Sequence, residues 1–177
     1  MLDRLIEANG EAIARRWVER AFETYPAETA AFLGREEDPF ANPAGAMVRE
    51  AAPALVGALA SGEVGPEVRQ RLGELMHLRS VQDLTAPEAV AIVLALRRAV
   101  ADVAGEELDA LGTDGVAELA DRTDRLLLAA FEAFVESRER LHEARLRERD
   151  RHRASLIARA RRVLEERDRS GGVSAGI

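Results

Sequence analysis

The stretch HLRSVQDLTAPEAVAIVLALRRAV, from His77 to Val100, places a polar segment directly before a capped and strongly apolar helix. Thr85 and Glu88 stand three residues apart, which is the spacing of a capping box. Pro87 lies so early in the helix that its missing N–H costs nothing. The apolar residues that follow cover an arc too broad for a surface helix. We therefore predict that this helix lies at the centre of the core and that Gly105 ends it.

The composition favours an all-α fold. Ala, Leu, Glu and Arg are among the best helix formers, and they supply more than half of the 177 residues. The chain has no cysteine, which excludes disulfides, thiolate metal sites and cysteine nucleophiles. No apolar run approaches the ~20 residues of a membrane helix, and the first residues lack a signal-peptide core. We expect a cytoplasmic protein without a membrane span.

Turn and capping residues predict most of the helix boundaries. Asn9-Gly10 divides the first helical segment, and Pro26 ends it because the residue before a proline is pushed out of the α region. Asn42-Pro43 has the pattern of an N-cap followed by proline in the first helical position. Pro66 opens the next helix. Its predicted buried stripe is Val68, Leu72, Leu75, Met76 and Val81.

The last helical pattern is unusually long. It runs from Val116 to Ser170 without proline or glycine, and its first third carries an apolar face that includes Phe131. Such a helix would span ~80 Å, whereas a domain of this size is roughly 37 Å across. We predict a helical domain at 1–135, a projecting charged helical extension at 136–169 and a disordered tail at 170–177.

The extension ends in a short apolar stripe, which we interpret as a partner interface. Its residues are Leu156, Ile157, Ala160, Val163 and Leu164. The arginines around it could bind nucleic acid or an acidic membrane surface. They are interleaved with acidic residues, however, so a solvated connecting helix is favoured.

Arg79, Gln82 and Asp83 are the candidate ligand or signal site. A guanidinium and an amide beside an apolar pocket are suited to recognition of a small anion. The alternative is structural: these residues cap one helix and tie it to its neighbour.

The sequence offers two metal-based alternatives. Glu74 with His77 and Glu139 with His142 both have the Glu-x-x-His spacing of di-iron bundles, but no interior glutamate on the intervening helix completes the set. Haem would need an axial histidine near the core, and only His77 qualifies. Serine hydrolase, P-loop and dinucleotide patterns are absent. We therefore expect no catalytic residue, no metal and no cofactor.

Five short motifs resemble the N-terminal domain of the RsbRD proteins, the RsbT co-antagonists of bacterial stress signalling. They are the helix that carries Trp17, the ETYP of Glu23 to Pro26 with its Tyr25, the DPFANPAG of Asp38 to Gly45 with Asn42 and Pro43, the RSVQD of Arg79 to Asp83, and the run from Leu126 through the SRER of Ser137 to Arg140. Each motif is weak alone, but the five occur in order over most of the chain.

The resemblance implies a non-haem, globin-like sensor domain that forms dimers. Full-length members join this domain through a helical linker to a STAS domain, which assembles into the stressosome and is phosphorylated by a partner kinase. No strand-rich segment follows the linker-like helix here, so we expect a stand-alone member. Its expected function is that of a homodimeric, non-catalytic sensor or adaptor with a protein partner; an accessory structural subunit of a redox complex is the alternative. The family offers no catalytic residues to transfer.

Overall fold

Seven α-helices and no strand make up residues 1–171, so the all-α fold class is confirmed. The computed structural model describes the backbone of these residues and the side chains of 1–159, 161 and 162. The helices are α1 (Leu2–Ala8), α2 (Gly10–Phe22), α3 (Ala27–Arg35), α4 (Pro43–Ser61), α5 (Pro66–Val81), α6 (Ala86–Ala110) and α7 (Gly112–Gly171). Most of the predicted tail, 172–177, lies outside the described residues. Within the described part, no helix combines the length and apolarity that crossing a membrane requires.

The predicted capping residues fix the helix starts. Asn42 is buried, and its Oδ1 accepts the Gly45 N–H at 2.8 Å, which caps α4. Gly45 is required there because an added Cβ would lie 2.2 Å from Asn42 Nδ2. At the start of α6, Glu88 Oε2 accepts the Thr85 N–H at 2.8 Å, as the capping box predicts. Both local predictions are confirmed.

The prediction that Gly105 ends the central helix places the end within one residue of a kink, beyond which a shorter helical segment follows. α6 continues to Ala110 across a break at Ala104, whose φ of −133° and ψ of 36° are not helical. Ala104 and Leu108 are both buried. We attribute the continuation to burial of Leu108, which stabilises helical turns beyond the glycine.

Two predicted core residues are exposed. Val81 is 54% exposed because the last turn of α5 directs Ser80, rather than its neighbour, into the interior. Phe131 is 48% exposed because Ala130 and Phe134 occupy the buried face of α7, and adjacent helical residues lie about 100° apart around the axis.

The core is built around α2, which packs against both α6 and α4. Trp17 is fully buried, and its Nε1 donates a hydrogen bond of 2.8 Å to the Ile92 carbonyl of α6. The central position predicted for α6 agrees with this packing. The buried residues of α6 are Ala89, Ile92, Val93, Ala95, Leu96, Ala99, Val100, Ala104 and Leu108.

The chain divides into two compact units, Met1–Arg138 (unit 1) and a second unit that begins at Glu139 (unit 2). α7 contributes to both. Within unit 1, two arginines of α7 occupy the end of α4. Arg122 donates to the Leu59 and Ala60 carbonyls and pairs with Asp3 of α1. Arg125 donates to the Gly62 carbonyl at 2.6 Å. These bonds satisfy carbonyls that the end of a helix leaves without partners.

Asp102 joins α6 to α2 and makes the fold sensitive to acid. It accepts hydrogen bonds from Arg16 Nε at 2.7 Å and Arg20 Nε at 2.9 Å. The bond from Arg16 is the main reason that the pKa of Asp102 is lowered; burial opposes the shift and Arg20 adds to it. A carboxyl whose pKa is lower in the folded state stabilises the fold above its unfolded pKa, and this contribution is lost as the pH falls through the folded pKa.

We expect Asp102→Asn to reduce the free energy of unfolding by about 1 kcal/mol at neutral pH. The difference between wild type and variant should shrink as the pH falls below about 4, where the unfolded carboxyl is protonated. Urea denaturation across this pH range measures it, and Asp109→Asn on the same helix, whose carboxyl is exposed, is the control. A difference that stays constant down to the acid limit would contradict the assignment.

Candidate functional site

Arg79 is a buried cation that joins three segments of unit 1. It is 1% exposed, near the end of α5. Its Nη2 donates to Thr24 Oγ1 and to the Glu88 carbonyl, both at 3.0 Å. Its guanidinium also lies over the Tyr25 ring, 4.7 Å from the centroid. The α2–α3 turn and the first turn of α6 are therefore both held by one side chain.

The guanidinium of Arg79 is incompletely satisfied. Nε and Nη1 are buried and have no hydrogen-bond partner. Desolvation on burial lowers the pKa of Arg79, whereas Tyr25 and Glu88 oppose that shift. A buried cation with unused donors is costly, so the bonds and the ring contact must compensate for it.

The three residues of the candidate ligand site do not share one environment. Arg79 is buried, whereas the side chains of Gln82 and Asp83 are exposed. The Gln82 N–H bonds to the Leu78 carbonyl as the C-cap of α5. Asp83 has a φ of 57°, a left-handed conformation that aspartate tolerates better than most residues. A ligand site formed by all three stays a prediction.

A chain of hydrogen bonds joins α5 to α7 through two buried serines. Ser80 Oγ donates to the His77 carbonyl at 2.8 Å, which uses its only proton. Ser137 Oγ lies 2.8 Å from Ser80 Oγ and 3.0 Å from His77 Nδ1. The arrangement that makes both contacts hydrogen bonds has Ser137 donating to Ser80 and accepting from a protonated His77 Nδ1. We call His77, Ser80, Ser137 and Arg138 the α5–α7 seam.

The last residue of the seam binds the polar segment after α5. Arg138 Nη1 lies 3.4 Å from the Ser80 carbonyl and 3.3 Å from Asp83 Oδ1. Arg138 is also the final residue of unit 1. The RSVQD and SRER motifs, 55 residues apart from Asp83 to Arg138, therefore meet at the point where α7 leaves unit 1.

The predicted partner stripe is described only in part. Leu156 and Ile157 are exposed, at 51% and 48%. The side chains of Ala160, Val163 and Leu164 lie outside the described residues. The interface stays a prediction.

Two residues of the di-iron and haem alternatives, Glu74 and His77, make other contacts. Glu74 accepts from Gln70 at 3.0 Å and from Arg71 at 3.2 Å, and His77 belongs to the seam. Among the described side chains, no group of three or more His, Asp or Glu residues could hold a metal ion.

Comparison with known families supplies the identity. Residues 11–149 match the family described as the RsbT co-antagonist protein RsbRD N-terminal domain. The chain belongs to this family. RsbRD N-terminal domains are signalling and regulatory domains of the stress response and are not a known enzyme family. Neither the curated proteins nor the solved structures gave a match.

The matched region of this RsbRD N-terminal domain contains all five motifs that carried the resemblance. The structure explains several of them by packing. Trp17 fills the core, Tyr25 lies under Arg79, Pro26 precedes α3, and Asn42 with Pro43 starts α4. The globin-like arrangement of helices stays a prediction.

The sequence analysis did not identify the partners within the seam. Ser80 and Ser137 are 57 positions apart, and no helical spacing connects them. Ser137 fell in the predicted charged extension, 136–169. The available signal was that it continues the helical face of Ala130 and Phe134, where a buried hydroxyl would need a partner.

Proposed function

We propose that this RsbRD N-terminal domain is a non-catalytic sensor or adaptor of bacterial stress or redox signalling. It forms a homodimer and signals to a protein partner through the C-terminal part of α7. The observation that best supports this proposal is an apolar stripe on α7 that is exposed in the single chain and is distinct from the predicted partner stripe. Leu128, Phe131 and Val135 are 68%, 48% and 38% exposed.

The stripe has the geometry of a helix-packing surface. Its residues follow the i, i+3, i+7 spacing that places side chains on one helical face. This face differs from the buried one, on which Leu126, Ala130 and Phe134 lie. Three neighbouring large apolar side chains on one helix favour pairing with the same helix of a second copy, since a two-fold interface uses one patch twice.

The seam suggests how a change in unit 1 would reach unit 2. Ser137 and Arg138 hold α7 to α5 at the last turn of unit 1. A signal that shifts α5 would act on the helix at this position. The exposed Leu156 and Ile157 farther along α7 are suited to receive a partner, because apolar side chains on a charged helix favour a protein contact.

Light scattering tests the dimer. At a protein concentration on the order of 50 µM we expect twice the mass of one chain for wild type. Leu128→Glu with Phe131→Glu should give the mass of one chain, because two carboxylates would be buried in the interface. Circular dichroism should be unchanged, since both side chains are exposed.

The matched control is Val116→Glu, which changes another exposed apolar residue of α7 outside the stripe. It should leave the dimer intact. A monomeric wild type, or a stripe variant that stays dimeric, would refute dimerisation through this surface.

The partner surface needs a separate pair of variants. Leu156→Asp with Ile157→Asp should leave the dimer and the stability of unit 1 unchanged. A partner protein that co-purifies with wild type from the native host should no longer co-purify with this variant. Val116→Glu should retain that protein. Equal recovery with all three baits would contradict a role for the partner stripe.

A further inference from the structure

An open groove runs between α2 and α4 and reaches α3. Its volume is about 430 Å³, within the range of small-molecule sites. Its floor is apolar and is formed by Ala14, Val18, Phe22, Ala52 and Pro53. A second groove of about 490 Å³ adjoins it and shares Ala14, Arg15 and Pro53. Together the two offer a long apolar surface along α2.

Arg49 contributes unused donors to this groove. Its Nη2 donates to the Leu33 carbonyl at 2.7 Å, and its guanidinium lies over the Phe22 ring at 5.4 Å. Its Nη1 is buried and has no hydrogen-bond partner. An orphaned N–H on a charged group is unfavourable, so an acceptor that arrived there would be bound strongly. The side chain of Arg49 lines the groove.

Arg15 supplies a second cation, where the two grooves join. It is exposed, and it has no hydrogen-bond or ion-pair partner among the described residues. Of the two carboxylates that line the groove, Glu19 is paired with Arg16 at 2.8 Å. Glu37 is exposed at the rim and forms no ion pair with either arginine. The groove thus combines an apolar floor with two cations that form no ion pair with its own two carboxylates. Glu7 and Glu11 line the adjoining groove, which Arg15 also lines.

We propose that the α2–α4 groove binds an organic monoanion, a carboxylate or sulfonate with an apolar body. The anionic group lies between Arg15 and Arg49, and the apolar body covers Ala14, Val18 and Phe22. We choose an anion because of charge complementarity: a purely apolar ligand would leave both cations without a counter-charge. The site is independent of the proposed dimer, whose stripe is on α7.

Two fluorescent probes that differ in one sulfonate test the proposal. 1-Anilinonaphthalene-8-sulfonate carries the anion, and N-phenyl-1-naphthylamine is its neutral analogue. Wild type should bind the sulfonate at least about tenfold more tightly than the neutral probe, which is the effect of one charge-assisted hydrogen bond. Decanoate should displace the sulfonate probe at a concentration about tenfold lower than decanol does.

Variants assign the binding to the groove. Arg15→Gln with Arg49→Gln removes both cations, so wild type's preference for the sulfonate should disappear, while the neutral probe binds as before. Ala14→Leu fills the floor and should weaken the binding of both probes. Arg4→Gln removes an exposed arginine outside both grooves and should change the binding of neither probe. If Arg49→Gln fails to fold because the bond to the Leu33 carbonyl is lost, Arg15→Gln and Ala14→Leu retain the test.

Four results would overturn the proposal. Equal binding of both probes by wild type would leave only an apolar surface. A preference for the sulfonate that persists in the arginine variants would place the site elsewhere, and so would binding of both probes by Ala14→Leu as by wild type. A changed molecular mass of Ala14→Leu would mean that a second copy of the chain covers the groove.

Discussion

Replacing Trp17 by alanine is expected to lower the free energy of unfolding of unit 1 by about 4 kcal/mol. Trp17 is fully buried where α2 meets α6, so truncation leaves a large void in the centre of the core. It also removes the Nε1 donor to the Ile92 carbonyl. A loss of this size is a large fraction of the stability of an ordinary domain. Urea denaturation followed by circular dichroism measures it.

Trp17→Phe separates the void from the hydrogen bond. It keeps most of the buried aromatic surface and loses the donor, so we expect a loss of about 1.5 kcal/mol. Val116→Ala, at an exposed position, should change stability by less than about 0.5 kcal/mol. If alanine and phenylalanine at position 17 destabilise equally, packing at the α2–α6 contact is not the main contribution of this residue.

Arg79→Ala is expected to cost about 3 kcal/mol. The substitution leaves a void and deprives the Glu88 carbonyl and Thr24 Oγ1 of their donor. Removal of a desolvated charge offsets part of this loss. Arg79→Met keeps most of the volume and removes the same charge, so it should cost only about 1 kcal/mol.

The decisive result is which of the two Arg79 variants loses more free energy of unfolding. Methionine as harmful as alanine would mean that the hydrogen bonds and the contact with Tyr25 dominate over packing. No loss in either variant would mean that Arg79 does not hold the α2–α3 turn to α6. Arg138→Met, at a half-exposed position in the seam, provides a comparison with a partly hydrated guanidinium, for which we expect a loss below about 1 kcal/mol.

Helix starts were predictable because their causes are local. The side chain of Asn42 and the capping box of Thr85 with Glu88 act within three residues of the backbone groups that they satisfy. Proline likewise restricts its immediate neighbourhood, so Pro26 and Pro66 mark boundaries without reference to the fold. The family motifs are mostly of this local kind.

Helix ends and faces were less predictable because packing at a distance decides them. Gly105 favours a stop by propensity, but burial of Leu108 extends α6 past it. Phe131 belongs to an apolar run whose phase admits two faces, and only the position of the neighbouring helices determines which one is buried.

The candidate sites depended on distant contacts most of all. Arg79 was singled out from its motif, but its burial against Tyr25 and Thr24 follows from how α2 and α5 pack. Arg15 and Arg49 were not singled out, because they lie on different helices in unremarkable surroundings. A pair of cations becomes a site only when the backbone brings them to one groove.

The position of Trp17 also decides what spectroscopy can observe. It is the sole tryptophan of the sequence, so indole fluorescence reports the α2–α6 contact and receives no tryptophan signal from unit 2. Far-ultraviolet circular dichroism sums over every helix, including the part of α7 after Glu139. Recorded on one denaturation, the two signals distinguish a single cooperative transition, in which the curves coincide, from independent melting of the two units.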